Sequence, residues 1–246
     1  MKAFVSWLFS QNNSDLTIGL FDIWHFLYLF VIFGGTALLS VLVKDKAKQE
    51  KTLRLFAYLT IGIYIADFFI MPLSDSYNGI GIDKLPYHVC TFMSVLAAFA
   101  QFNPRFKPMK SAIVSLSVTS ALMWMCYPGS ALGGQPPFCY IIFQTFMFHG
   151  LLFCWGVLNL SYGEVKLEFK KIWKEFCIIM VILVWAAFGN AVYENQNWFF
   201  IKESIFAFLP NNVLVPVVVF CVFGSCVVVY GAYYGIRAIA KRKQPV

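Results

Sequence analysis

The chain reads as an all-α, polytopic membrane bundle of about seven transmembrane helices, N-terminus outside and C-terminus cytoplasmic. Three observations predict this. Of 246 residues, 60% are hydrophobic and only 13% charged, where a soluble domain carries about a quarter charged. Apolar runs such as 18–43 and 212–236 reach the roughly 20 residues that a spanning helix needs. Basic residues, finally, gather in clusters between alternate pairs of apolar stretches.

The elements follow in order. Residues 1–10 carry one lysine and no signal-peptide pattern, and 4–9 suits a short amphipathic lead-in at the headgroups. The first helix is expected over 18–43, followed by Lys44, Lys46, Lys48, Lys51 and Arg54. A second over 53–73 ends in a polar, Gly-containing loop at 74–84, and a third covers 85–102. Arg105, Lys107 and Lys110 lead into a fourth over 110–127. The uncharged loop PGSALGGQPP at 128–137 is dense in turn residues and precedes a fifth over 138–160. Lys166, Lys170, Lys171 and Lys174 introduce a sixth over 174–193. The loop 194–211, with Trp198, Phe199, Phe200, Phe206 and Phe208, suits an interfacial or re-entrant lid. The seventh helix, 212–240, contains a Gly231/Gly235 spacing compatible with close packing, and the tail adds Arg237, Lys241, Arg242 and Lys243. One domain, 1–246, is the simplest account, since no internal repeat is visible.

These clusters hold sixteen of the nineteen basic residues; only Lys2, Lys84 and Lys202 fall elsewhere. That is the positive-inside pattern. The net charge of +7 therefore reports topology rather than nucleic-acid binding, and its expected partners are anionic lipid headgroups at the cytoplasmic loops. The seven cysteines form no C-x-x-C pair; Cys126 and Cys139 flank one external loop and are near enough in sequence to pair, but free thiols are the commoner state of cysteines in apolar helices.

All three histidines, His25, His88 and His149, lie in apolar stretches, where an imidazole is costly unless it meets a cavity, a partner or a ligand. Converting sequence position to depth at about 1.5 Å per residue puts nearly every intramembrane polar group in the outer half. Asp22, His25, Asp67, His88, Cys90, Gln144, His149 and Asn190 all fall there, and the inner half reads as plain Leu, Val, Ile and Phe. A polar cavity open to the outer side follows. Each residue also has a structural reading: Asp67, Asp22 and His25 suit helix-to-helix hydrogen bonding as well as they suit a site.

Histidine beside cysteine can generate an acyl-accepting thiolate, and a histidine pair can serve as base and acid without a covalent step. In one helix His88 and Cys90 would point about 200° apart, leaving His149 as the group able to reach either. No metal-ligand spacing, G-x-S-x-G elbow, phosphate loop or dinucleotide fingerprint is present. No metal or cofactor is expected, and lipid chemistry, transport and a noncatalytic role remain.

The hexapeptide LPYHVC at 85–90 resembles the L-P-x-H-x-C signature of the YwaF-like bacterial integral membrane family. FDIWH at 21–25, YPG at 127–129, FQTFMFHG at 143–150, Asn190 and Asn197 match in the same order. That family is similar to the vertebrate transmembrane protein 164 acyltransferase, a multi-pass cysteine enzyme that moves fatty acyl chains between phospholipids. The resemblance implies catalytic roles for His88 and His149. The nucleophilic cysteine of the vertebrate motif falls on Tyr87, so Cys90 becomes the substitute acyl acceptor, about one helical turn from Tyr87.

The sequence thus predicts a multi-pass cell-membrane enzyme acting on membrane phospholipids by acyl transfer. Its catalytic residues are His149, His88 and Cys90, with Tyr87, Gln144, Asn190, Asn197, His25 and Asp67 binding substrate. A small-solute or ion transporter and a noncatalytic scaffold are the alternatives. The plain inner half counts against transport, which needs access from both sides.

Overall fold

A computed structural model describes residues 17–73, 82–128, 132, 135–203, 210 and 213–242. The lead-in at 4–9 lies outside the described residues, as do Phe206, Phe208 and parts of the loops at 74–84 and 128–137. Among the described residues seven α-helices follow the seven apolar stretches: α1 (Ile23–Leu42), α2 (Lys46–Ile70), α3 (Val89–Phe102), α4 (Lys110–Cys126), α5 (Tyr140–Ser161), α6 (Trp173–Val192) and α7 (Leu214–Arg242). Six are long and apolar enough to cross a membrane; α3 is shorter.

Three helix starts differ from expectation by more than two residues, each for a local reason. α1 begins five residues late because Asp22 caps it, its carboxylate accepting from the backbone N–H groups of His25 and Gly19. Asp22 therefore sits at the helix mouth and not inside the helix. α2 begins seven residues early, capped by Asp45, which accepts from Lys48 N–H at 2.9 Å. α3 begins four residues late because Pro86 lies at the centre of a tight turn. There Tyr87 N–H donates to Leu85 C=O at 2.7 Å, the two-residue closure of a γ-turn, and the residue before a proline avoids helical geometry. Tyr87 and His88 consequently precede the helix, so the helical angles expected between them and Cys90 do not apply.

Hydrogen bonds between helix ends establish an up-and-down topology. At one end Gln101 of α3 bonds Glu50 of α2 and Lys110 of α4, Lys46 reaches Tyr162 C=O beyond α5, and Lys174 of α6 reaches Pro108 C=O. At the other, Tyr140 of α5 bonds Asp67 of α2, His25 of α1 bonds Met125 C=O of α4, and Asn190 of α6 holds Trp198. The described basic clusters share the first end, which is the cytoplasmic end by the positive-inside pattern.

α4 and α5 form the centre, and Gly156 explains how closely they meet: a Cβ there would lie 2.5 Å from Val118 Cγ2 and 3.2 Å from Val114 O. α1 and α2 flank α5, α3 fits between α2 and α4, and α6 and α7 lean on α4. The outer surface is bare hydrocarbon, with Phe30, Phe69, Phe220 and Val228 all at least 70% exposed. Such a belt is stable only in lipid. The protein is an integral membrane protein.

Two further expectations are corrected. Gly231 and Gly235 meet open space and not a packed neighbour, so that spacing makes no helix contact here. The inner half is not plain hydrocarbon: Glu175, Ser115, Thr119, Gln49 and Asn159 are all buried on the cytoplasmic side of the bundle. The seven cysteines are free thiols, Cys126 and Cys139 included.

Candidate functional site

His149 sits in mid-α5, 6% exposed. Its Nδ1 lies 2.8 Å from the carbonyl of Thr145, one turn back. A carbonyl can only accept, so Nδ1 carries the proton and the Nε2 lone pair is left for chemistry. Nε2 has no hydrogen-bond partner among the described residues. The ring lies flat on Trp124 of α4, centroids 4.0 Å apart and 10° from parallel, and Phe148 abuts it edge-on. Stacking and the backbone bond together fix the orientation of the imidazole.

Lys84 and His88 both lie within electrostatic range of His149. Lys84 enters the bundle because Asp67, 1% exposed, pairs with its ammonium at 3.7 Å while Tyr64 donates to its carbonyl at 2.7 Å. Tyr140 donates to the other Asp67 oxygen at 2.7 Å. A nearly dry carboxylate is tolerable because a cation and a phenol both satisfy it. Gln144 lies one turn beyond Tyr140, its Oε1 accepting from the Thr145 hydroxyl at 3.1 Å. The outer ends of α2 and α5 thus supply a buried polar cluster, with His149 one turn below Thr145.

His88 occupies the N-cap position of α3 without using its side chain as a cap. Its ring faces Phe200, centroids 5.7 Å apart. Phe199 and Phe200 hold positive φ values of 59° and 53°, conformations that bulky residues rarely adopt and that persist only when the surroundings impose them. Asn190 imposes part of this: its amide donates to Trp198 C=O at 2.9 Å and its carbonyl accepts from Trp198 N–H at 2.8 Å. Asn197 pins the same loop by accepting from Lys202 N–H and donating to Glu203 C=O. Both asparagines therefore shape the loop that covers His88.

Tyr87 is wedged between Trp198 (4.4 Å) and Trp185 (5.0 Å), in a slot that exists because residue 189 is glycine. A Cβ on Gly189 would lie 2.7 Å from two Tyr87 ring carbons. Cys90 points to α4, its thiol donating to Ser120 C=O at 3.6 Å. Below this turn, Phe92 with Val181, Val184, Trp185 and Phe188 lines an apolar groove of about 520 Å³ between α3 and α6. Trp185 ties the groove to the turn by donating to Pro86 C=O at 3.1 Å.

His25 has a different character. Its Nδ1 accepts from Phe21 N–H at 3.1 Å and its Nε2 donates to Met125 C=O at 2.8 Å. It is wholly buried, with both nitrogens engaged, and bridges α1 to α4 as a strut. Through Phe146 it backs the Trp124 ring on which His149 lies.

The structure therefore places His149, His88, Asp67 and Gln144 in one outer region, with Asn190 and Asn197 bonded to the neighbouring loop, Tyr87 packed between two tryptophans and His25 bridging α1 to α4. Sequence reading missed Lys84, Tyr64, Tyr140, Thr145 and Trp124. Lys84 had a signal, as a lone cation outside the basic clusters; the aromatic residues had none among so many others. Among the described residues no three His, Cys, Asp or Glu side chains converge as a metal site.

The sequence profile of the TMEM164 family matches residues 20–234, from the turn before α1 to the last turns of α7. The chain belongs to the TMEM164 family. No curated protein and no solved structure matches it.

Proposed function

We propose that the protein is a phospholipid acyl-transfer enzyme of the cell membrane, working from the outer half of the bilayer. The observation that carries this reading is the state of His149. It is an oriented, buried imidazole whose basic nitrogen is unpartnered among the described residues, beside a second histidine and a lysine. Family membership and the apolar groove next to the Pro86 turn support it.

In the proposed reaction His149 Nε2 takes the proton from an acceptor lipid hydroxyl. The freed oxygen forms a bond to the ester carbonyl carbon of a donor phospholipid. The Lys84 ammonium and a ring N–H of His88 stabilise the tetrahedral oxyanion. Collapse breaks the donor ester bond, and the departing alkoxide takes the proton back from Nε2, leaving one new ester and one new hydroxyl. The acyl tail lies in the α3–α6 groove. Tyr87 is a packing residue in this scheme, and Cys90, whose proton is held by Ser120, is not required.

The test is transfer of a labelled acyl chain from phospholipid to lysophospholipid by the protein in liposomes, with lipid profiles of cells carrying each variant. His149→Ala is expected to lower transfer by about 10²–10⁴-fold, the usual worth of a positioned acid–base group, and Cys90→Ser to retain it. Wild-type turnover in His149→Ala would end the proposal. Loss of transfer in a folded Cys90→Ser protein would move the acyl group onto that thiol.

A further inference from the structure

The cytoplasmic end of the bundle, opposite the histidines, holds a cavity that the acyl-transfer chemistry does not use. It measures about 380 Å³ and lies between the α5–α6 loop, through Lys166, Leu167 and Glu168, and the late turns of α7, through Tyr233, Tyr234 and Arg237. Tyr234 fastens its two sides together by donating to Leu167 C=O at 2.8 Å, and Phe169 stacks on the Tyr234 ring at 5.3 Å.

Charge around the cavity is unevenly spent. Both acidic residues of the α5–α6 loop are paired with lysines, Glu164 with Lys46 at 3.6 Å and Glu168 with Lys171 at 2.6 Å. Lys166 and Arg237 have no acidic partner among the described residues. Two cations from different segments thus line one cavity without a counter-ion. Arg237 is also held in place: its guanidinium lies against the Tyr233 ring, 5.3 Å from the centroid, and one N–H donates to the Tyr233 hydroxyl. The rest of its donor fork stays open, and such a fork matches the paired oxygens of a phosphate.

Depth selects what carries that phosphate. Ile236 and Ile239, which bracket Arg237 and Ala238, are both well exposed, so this part of α7 still presents hydrocarbon to lipid. Exposed Phe169 and Trp173 lie at the same end, and aromatic residues of this kind mark the headgroup level. The cavity therefore opens where acyl chains give way to headgroups, on the leaflet that is anionic. A free phosphate ion gains nothing from the apolar flank, whereas a phospholipid uses both.

We infer that Lys166 and Arg237, the latter positioned by Tyr233, bind the phosphate of an anionic phospholipid of the cytoplasmic leaflet and through it tie the α5–α6 loop to α7. The basic clusters attract such lipids as a diffuse field; here two cations converge on a single cavity. The site stands apart from the His149 region and does not depend on the acyl-transfer reading.

The test uses the full chain in detergent micelles doped with dioleoylphosphatidylglycerol or, at the same mole fraction, dioleoylphosphatidylcholine. Thermal unfolding is followed by tryptophan fluorescence at constant ionic strength. Phosphatidylglycerol is expected to raise the midpoint by several degrees in a saturable way relative to phosphatidylcholine, as a ligand of the folded state does by mass action. Arg237→Gln and Lys166→Gln should each raise the half-saturating mole fraction several-fold. Lys51→Gln removes a cation from the same membrane face outside the cavity and should leave the response unchanged. Lys166, Arg237 and Lys51 are all exposed, so folding does not limit the comparison. Equal midpoints in the two lipids would overturn the inference, as would a wild-type response in Arg237→Gln and Lys166→Gln. A loss in Lys51→Gln as large as in Arg237→Gln would assign the effect to the diffuse field of the basic loops and also overturn it. So would a rise reproduced by inorganic phosphate without the anionic lipid, which would make the ligand a free ion.

Discussion

Asn190 gives the sharpest test of how the outer loop is held over His88. Replacing it with alanine deletes two hydrogen bonds to the backbone of Trp198, at 2.9 and 2.8 Å. At about 0.5–1.5 kcal/mol each, the pair is worth about 1–3 kcal/mol. Polar contacts in a membrane protein average nearer ~0.6 kcal/mol, which sets a floor of about 1 kcal/mol. The cost falls on the loop first, because Trp198 is what locks Tyr87 from one side and carries Phe199 and Phe200 in their left-handed conformations. Asn190→Ala should therefore unfold a few degrees lower, at ~2–4 °C per kcal/mol for a chain of this size. It should also become sensitive to limited proteolysis around 194–203, and lose acyl-transfer activity in proportion to the cut fraction. Asn190→Asp turns a carboxylate oxygen toward Trp198 C=O in a buried position, so it should be at least as damaging as alanine. An Asn190→Ala protein with wild-type melting and cleavage patterns would refute the role of this side chain as a loop anchor.

Three further outcomes are expected. Gly156→Ala should destabilise by about 1–3 kcal/mol through overpacking, read as a lower unfolding midpoint, because its Cβ meets the α4 backbone at Val114 O and not merely a movable side chain. His25→Ala should lower the same midpoint while leaving transfer per folded molecule near wild type, since one His25 nitrogen holds the turn before α1 and the other bridges α1 to α4. Tyr140→Phe removes one donor from the buried Asp67 and should weaken Lys84 placement, read as a modest fall in turnover with the α-helical circular-dichroism spectrum unchanged.

Length, hydropathy and the spacing of basic residues were enough to read seven helices and their alternation, because these depend on runs of 14 or more similar residues. Helix ends were less legible. The late starts of α1 and α3 depend on single residues, Asp22 as a cap and Pro86 in a tight turn, which an average over an apolar run cannot register. Depth arithmetic put His149, His88, Asp67 and Gln144 on the outer side because the outer ends of α2 and α5 and the turn before α3 lie there. It placed His25 in the same region and had no means of separating it. The distinction between His25 and His149 is one of hydrogen-bond count at each ring nitrogen, set by Phe21 and Met125 in one case and by Thr145 alone in the other. Glu175 was overlooked because it lies next to Lys174 in a basic cluster, where charge is expected to face water; the fold turns the lysine out and the glutamate in.

The position at which the resemblance implies a nucleophile is the one where this chain departs most clearly from it. A tyrosine at 87 needs far more room than a cysteine, and the room comes from Gly189, whose missing Cβ is what lets the ring lie against α6. Trp185 and Trp198 cover its two faces. Three residues from two other segments are thus matched to the aromatic ring, so Tyr87 is built into the fold as an anchor for the Pro86–His88 turn. An anchor buried this way, 7% exposed, is poorly placed to attack an ester. The nearest thiol, Cys90, turns its proton to α4. What remains with an open lone pair is the His149 imidazole. On the proposed reading, a packed tyrosine at 87 beside the two histidines fits direct transfer between two lipids with His149 as the base.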